Sequence, residues 1–439
     1  MPLKATRLNE IYRYLNPDEP VSPGDPRYVA LACGRGDQDF ARAIVRRVCS
    51  MPVGQYHHHL LAGYRGCGKS TELHAVKYAL EAQGYLVVYL NAEDALDLAD
   101  VQYLDVLIAL VSAWADLARA IGLRVKPSLV KDIERWFEEI EIVEQRWRES
   151  EREGEAQAET SARLPLLARL SLNLRTRLRS GSAVREEIRR KIERRLSDFE
   201  ARANALLDNI AELAGKKGHA GLVAIVDNLE KMPLKVVNSK GQTSHAALFI
   251  EHADALKALH CHTVYTVPTT LIDDPHLKLF YSDPDLMPMV KVRTPDGSPD
   301  QEGVALLREV LCRRMDVRAL FADPNDLEAL VLASGGVLRD LFQLVLFAAD
   351  YTGEGAQIGR QAVQRAIARL SREYDGLIHE EDLEVLRRAL HNAYLPGSAR
   401  LSQLLQKQLV LSYVNGERWL AVHPAVREAP RLRAYLSAI

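Results

Sequence analysis

The chain has 439 residues, 47% of them hydrophobic, and a formal net charge of −2. That length suits roughly two to four domains, and the near-neutral balance excludes a global pull toward nucleic acid or an anionic membrane. Five scattered cysteines (Cys33, Cys49, Cys67, Cys261, Cys312) with no C-x-x-C pair argue against a disulfide framework, and the absence of a signal-like or membrane-length apolar run leads to the expectation of a soluble, cytoplasmic protein with no membrane partner.

Residues 1–30 contain Pro17, Pro20, Pro23 and Pro26 and read as an irregular leader. A helix is expected over 39–50, with Phe40, Ile44 and Val48 on one face. The triplet His57-His58-His59 follows. On a strand His58 points away from its neighbours, and no Cys or carboxylate cluster accompanies the triplet, so a metal site is not expected there.

His58 to Ala62 is a short extended run feeding Gly63–Ser70 (GYRGCGKS), which meets the pattern G-x-x-x-x-G-K-[ST] at every fixed position. In such a loop successive N–H groups converge on phosphate oxygens. Gly66 and Gly68 permit positive φ and close backbone approach. Lys69 reaches the β- and γ-phosphates, and the Ser70 hydroxyl can ligate Mg²⁺. Leu73, Val76, Lys77 and Leu80 lie at helical spacing, so a helix N-terminus adds its dipole to the site. The expected nucleotide-binding residues are Gly63, Tyr64, Arg65, Gly66, Cys67, Gly68, Lys69, Ser70 and Thr71. Cys67 reads as a filler position whose oxidation would obstruct nucleotide.

Tyr85–Leu90 is an apolar, β-branched run expected as a buried parallel strand, and helical periodicity resumes over 101–120. Residues 124–215 differ in composition and are expected to form a charged helical insertion. Residues 134–159 hold ten Glu against Arg135, Arg146, Arg148 and Arg152, a balance of −6, whereas 163–195 balance at +8. Leu170, Leu172 and Leu174 alternate with polar residues at strand period, Ser180-Gly-Ser182 breaks the pattern, and one long helix is expected over 183–214. The opposite charges read either as halves of a solvated arm that attract each other or as an arginine-rich surface for a phosphate backbone or acidic partner.

Leu222-Val-Ala-Ile-Val-Asp227 is a buried-strand pattern ending in a carboxylate, which in a phosphate-loop protein holds Mg²⁺ directly or through water. Thr263–Val267 is a further strand, and Thr266, Thr269 and Thr270 are candidates for sensing the γ-phosphate. The pattern over 301–349 is helical with breaks at Asp323-Pro-Asn325 and Ser334-Gly-Gly336. Two helices and a hairpin follow, with Asn415-Gly416 as a two-residue turn.

In this arrangement the chain resembles the AAA+/STAND division of P-loop ATPases. Gly63–Ser70 resembles Walker A, Leu222–Asp227 resembles Walker B, and Thr266 matches the sensor-1 position. Ser334-Gly-Gly-Val-Leu-Arg-Asp340 resembles the sensor-2 segment of initiator-like members, which implies that Arg339 reaches back to the phosphates from a helical lid. The resemblance implies an α/β fold with a P-loop NTPase parallel-sheet core (31–123 and 216–300), the insertion (124–215), a helical lid (301–372) and a winged-helix-like domain (373–439). It implies ATP and Mg²⁺ as cofactors, Mg²⁺ between Ser70 and Asp227, and catalytic roles for Lys69, Asp227 and Thr266. Many members place Glu directly after the Walker B Asp. Here Asn228 follows and the next acid is Glu230, so either Glu230 orients water or hydrolysis is slow. No N-K-x-D stretch supports GTP. Arg293, Arg313 and Arg314 are the arginine-finger candidates.

Two functions stay open: an ATP-dependent switch acting on a partner or effector protein in a bacterial defence or signalling module, with homo-oligomers on nucleotide binding, or a DNA-binding initiator or loader. Residues 376–439 carry eight basic and six acidic groups, a weak charge for a DNA-binding wing. A small-molecule kinase has no use for lid and wing.

Overall fold

Four apolar runs pair in parallel: β1 (His58–Gly63), β2 (Leu86–Asn91), β3 (Leu222–Asp227) and β4 (His262–Val267). The short β5 (Asp285–Met287) completes a five-stranded sheet in the order β2-β3-β4-β1-β5. The computed structural model describes residues 4–142, 164–239, 241–282, 284–390 and 399–438. The expected α/β architecture with a parallel core sheet is therefore present. β3 and β4 are buried along their whole length, as uninterrupted β-branched and aliphatic runs require when both sheet faces are covered.

Register places the functional strand ends level. Asn91 pairs with Asp227, Val226 with Tyr265, and Leu61 with Thr266. Because β3 and β4 are parallel, the loops after Asp227 and Thr266 leave the same edge of the sheet, the edge at which α/β sheets bind ligands.

The chain divides into two compact units. One is Met1–Ala41, Gly63–Ala75 and Leu286–Ile439; the other is Arg42–Ala62 and Val76–Asp285. In the second unit the helix Tyr103–Ala120 is buried along most of its length, with Trp114 fully enclosed. Leu166–Leu178 packs on it. This segment is helical, not a strand: Leu167, Leu170, Leu174 and Leu178 recur at three- and four-residue intervals and are buried, while Leu172 is exposed. The polar–apolar alternation at Leu170, Leu172 and Leu174 reflects only half of that stripe. The long helix expected over 183–214 is two helices, Ser182–Glu193 and Leu196–Gly215, broken at Arg194-Arg195.

Several of the basic residues here face the fold, while Arg175, Arg179, Arg190, Arg194 and Arg195 are exposed. Arg189 is buried and donates to Asp105 and Asp100, Arg185 reaches Asp97 and Asp100, and Arg169 pairs with Glu134. Most of the acidic run, including Arg146, Arg148 and Arg152, lies outside the described residues.

In the first unit the segment read as an irregular leader contains a helix, Leu8–Tyr14. Helices Gln301–Cys312, Asp326–Ala333, Leu338–Asp350 and Arg360–Asp375 follow the expected breaks. The C-terminal part contains Leu383–Leu390, Ala399–Gln406 and an antiparallel hairpin of β6 (Val410–Asn415) and β7 (Glu417–Val422). The hairpin is tighter than its Asn-Gly signal suggests, since Asn415 pairs directly with Glu417 across Gly416, which has φ 76°.

Histidines line the N-terminal ends of β1 and β4. The His57 N–H donates to His262 Nδ1 at 2.9 Å, and His58 Nδ1 lies 2.9 Å from Thr263 Oγ1. Burial pushes His57 and His262 down to about 4 and His58 down to about 3. Among the described residues no group of His, Cys, Asp or Glu is arranged to hold a metal. Unfolding releases these side chains to titrate near ~6.5, so the unfolded chain binds more protons below that value and stability falls as pH drops from about 6.5 toward 4. His262→Asn keeps an acceptor for His57 and removes one titrating group. Urea midpoints measured from pH 7.5 to 4.5 should show a shallower fall in H262N than in the parent; identical slopes would contradict this origin of acid lability.

Candidate phosphate-binding site

The loop between β1 and the helix Lys69–Ala82 is built by its peptide carbonyls. Gly63 and Tyr64 carbonyls accept from Lys69 Nζ at 2.7 and 3.3 Å. The Arg65 carbonyl accepts from Gln408 Nε2, and the Gly66 carbonyl from the Leu338 N–H at 3.0 Å. The Cys67 carbonyl accepts from Arg35 Nη2, and the Gly68 carbonyl from the Glu72 N–H at 3.1 Å. Six consecutive carbonyls are thus engaged by the protein itself. The described peptides contain no cis bond, and in a trans peptide the N–H points opposite to its C=O. Carbonyls drawn to these partners turn the N–H groups of the same peptides the other way, the polarity an anion cradle needs, except that the Cys67 N–H donates to the Tyr64 carbonyl at 3.3 Å.

Gly66 (φ 72°) and Gly68 (φ 94°) adopt the left-handed backbone expected of them. A side chain at Gly66 would meet Arg339 Cβ at 2.9 Å and Val337 Cγ1 at 3.0 Å. Lys69 is buried, its ammonium folded back over the loop carbonyls. Ser70 and Thr71 are half-buried in the first helical turn, and Thr71 Oγ1 accepts from the Val21 N–H at 3.5 Å. Cys67 is buried, which restricts oxidant access to the position flagged from the sequence.

The Ser334–Asp340 segment sits directly on this loop. Gly335 and Gly336 have φ of 60° and 81°, and a Cβ on Gly336 would lie 1.8 Å from the Val290 carbonyl oxygen. Tyr413 OH donates to the Gly335 carbonyl at 2.6 Å. Arg339 therefore starts beside Gly66, with its guanidinium 2.6 Å from Asp18 Oδ1. The neighbouring Asp340 is buried and accepts from Tyr374 OH at 2.7 Å, with His423 Nε2 at 3.1 Å. The C-terminal hairpin also touches the loop: Arg418 Nη2 donates to Tyr64 OH at 3.1 Å.

In the second unit Asp227 is buried. Its Oδ2 accepts from Tyr89 OH at 2.6 Å and its Oδ1 from the Asn228 N–H at 2.8 Å. Each carboxylate oxygen keeps a further acceptor site, which fits a carboxylate that meets Mg²⁺ through water. Asn228 adopts φ 67° and donates through Nδ2 to Asn91 at 2.8 Å. Glu230 is half-buried in the 3₁₀ turn Leu229–Lys231. Thr266 Oγ1 accepts from the Leu229 N–H at 3.0 Å, so its hydroxyl braces the turn after Asp227. Thr270 pairs with His245 at 3.1 Å.

Of the arginine-finger candidates, Arg314 is buried, donates to the Arg27 and Val310 carbonyls, and is pushed down to about 10 by burial. Arg293 donates to the Gly297 carbonyl and Arg313 pairs with Glu309. Sequence reasoning missed Arg35 and Gln408. Neither sits in a motif, and only their contacts with loop carbonyls distinguish them.

No protein-family model matches the chain, and no curated protein sequence matches it. Solved structures do. The Aeropyrum pernix ORC2 protein, solved as ADPNP–ADP complexes, matches with TM-score 0.42 and 14% identity over 97% of this chain and 98% of that one. A Walker-type ATPase of Pyrococcus abyssi matches with TM-score 0.38 and 16% identity over 92% and 99%. Cdc6p from Pyrobaculum aerophilum matches with TM-score 0.39 and 11% identity over 97% and 98%. At these identities and TM-scores the likenesses assign the chain neither a family nor an activity. Among the described residues no helix is long and apolar enough to cross a membrane.

Proposed function

We propose that the chain is an ATP-binding, slowly hydrolysing AAA+/STAND-type ATPase that acts as a nucleotide-dependent switch on a partner protein. The observation that carries this reading is the set of six engaged carbonyls around a loop with the G-x-x-x-x-G-K-[ST] pattern. The β- and γ-phosphates take the place of the loop carbonyls as partners of Lys69, and the N–H groups of the loop bind their oxygens. Magnesium held there would supply positive charge against the phosphates. Ser70 and Asp227 are assigned to it by residue type, a hydroxyl and a carboxylate. Arg339 exchanges Asp18 for a phosphate oxygen, and Thr266 acts beside Asp227 as the sensor-1 residue. Asn228 in place of a glutamate makes turnover slow, with Glu230 as the group that orients water.

The switch reading is favoured over a DNA-binding one by the C-terminal charges. All eight basic groups of 376–439 have partners: Arg387 and Arg388 on Glu384, Arg400 and Lys407 on Asp382, Arg418 on Ser412, Arg427 on the Val422 carbonyl, Arg431 on Asp375 and Arg433 on Glu428. A winged helix with its cations so engaged suits a protein contact, including a second copy of the chain on nucleotide binding. Lys69→Ala should abolish ATP binding measured by calorimetry, and Glu230→Gln should retain ATP while slowing phosphate release. Parent-like affinity and turnover in K69A would refute the site.

The DNA-binding initiator or loader reading rests on Arg175 and Arg179, both exposed at the C-terminal end of the helix Leu166–Leu178, where Arg175 pairs with Asp116 and Arg179 follows the last helical residue. If it holds, alanine at Arg175, Arg177 and Arg179 weakens duplex binding and reduces the salt slope by about one per lost phosphate contact. No duplex binding by the parent protein at low salt would remove it.

A further inference from the structure

Arg35 belongs to no motif, yet its guanidinium is fully enclosed under the phosphate loop, at 1% exposure. It is presented by the short turn Cys33–Arg35, whose Gly34 carbonyl accepts from the Lys291 N–H at 2.8 Å. That turn is closely packed. A Cβ on Gly34 would lie 2.8 Å from Val290 Cγ1, and one on Gly36 would lie 2.8 Å from the Val414 carbonyl oxygen. From this anchorage Nη2 donates to the Cys67 carbonyl, and Nη1 pairs with Glu72 Oε2 at 3.2 Å. Glu72 Oε1 in turn accepts from the Ala41 N–H at 3.3 Å.

The Cys67–Gly68 peptide is the one in the loop most able to turn over. Rotating it changes only ψ of Cys67 and φ of Gly68, and glycine is permissive on both sides of φ zero. In the flipped state the Cys67 carbonyl would project where the Gly68 N–H now points, presenting a negative dipole to a phosphate. A charge-assisted bond from a rigidly held, buried guanidinium opposes that flip. Lys69 does not hold this peptide: its ammonium serves the Gly63 and Tyr64 carbonyls here and is assigned to the phosphates when nucleotide binds.

We infer that Arg35 is a positioning residue of the phosphate site, locking the Cys67–Gly68 peptide with its N–H toward the bound nucleotide while never touching the nucleotide itself. The inference rests on the nucleotide-binding reading given above. It names a residue outside the phosphate motif on which affinity for any nucleoside di- or triphosphate depends. Because the lock acts on the cradle and not on the terminal phosphate, ATP and ADP depend on it equally.

The test is calorimetric titration of the full chain with MgATP and with MgADP, in the parent, Arg35→Gln, Arg35→Lys and Lys69→Ala. Arg35→Gln should weaken both nucleotides by a similar factor, about 10- to 100-fold. Arg35→Lys keeps the charge but has no fork to span Cys67 and Glu72, and should lose less. Hydrogen exchange without nucleotide should rise at 63–72 in both Arg35 variants and stay at the parent level at 222–227. If Arg35→Gln fails to fold, Arg35→Lys carries the measurement. Parent affinity in a folded Arg35 variant, or a loss confined to ATP, would overturn the inference while leaving the site intact as long as Lys69→Ala abolishes binding. Absence of nucleotide binding by the parent would instead sink the underlying reading.

Discussion

The constraint on which the site depends is the direction of a few peptide planes. Between Gly63 and Gly68 every carbonyl is committed to a donor of the protein, and the backbone's remaining polarity is what a phosphate would meet. Isolated, such a loop is conformationally loose, because two glycines at positive φ allow many alternatives. Its shape is imposed from outside, by a buried arginine, a glutamine in left-handed backbone, the N–H of Leu338 and the first turn of a helix. The phosphate motif supplies permissive backbone, and its partners choose one conformation from it.

Those partners come from separate stretches of sequence. Arg35 precedes the loop, Leu338 follows a glycine turn, and Gln408 leads into β6. Gln408 and Arg418 connect the C-terminal module to Arg65 and Tyr64, and Tyr413 ties the same module to the Gly335 carbonyl. Any nucleotide that favours one loop conformation therefore favours the docked arrangement of this module, and docking favours the nucleotide by the same factor, since the coupling is reciprocal. A switch needs such an element, and the contacts lie within one compact unit.

Much of the core was legible because its physics is local. Leu222–Val226 and Leu86–Leu90 are runs rich in β-branched and aliphatic residues that suit strands covered on both faces, and the glycine–lysine spacing of the loop is the one a phosphate cradle requires. Legibility failed where local and tertiary signals diverge. Leu170, Leu172 and Leu174 alternate like a strand, but the stripe that packs on Tyr103–Ala120 runs through Leu167, Leu170, Leu174 and Leu178. The opposite charges around the insertion suggested a solvated arm or a nucleic-acid surface. Within the basic run Arg185 and Arg189 reach Asp97, Asp100 and Asp105, all more than eighty positions earlier in the chain, while Arg175 and Arg179 stay exposed. Arg35 had no signal at all, since a lone arginine in a glycine-rich turn is indistinguishable from a surface residue until its burial is known.

The most direct test of the central claim is a titration of the glycine-¹⁵N-labelled chain with MgADP, followed by the amide resonances of Gly66 and Gly68. The account predicts that both protons move downfield as phosphate oxygens accept from them, while Gly122 and Gly416 stay in place. Unmoved Gly66 and Gly68 resonances at saturating nucleotide would show that the loop's N–H groups do not face a phosphate.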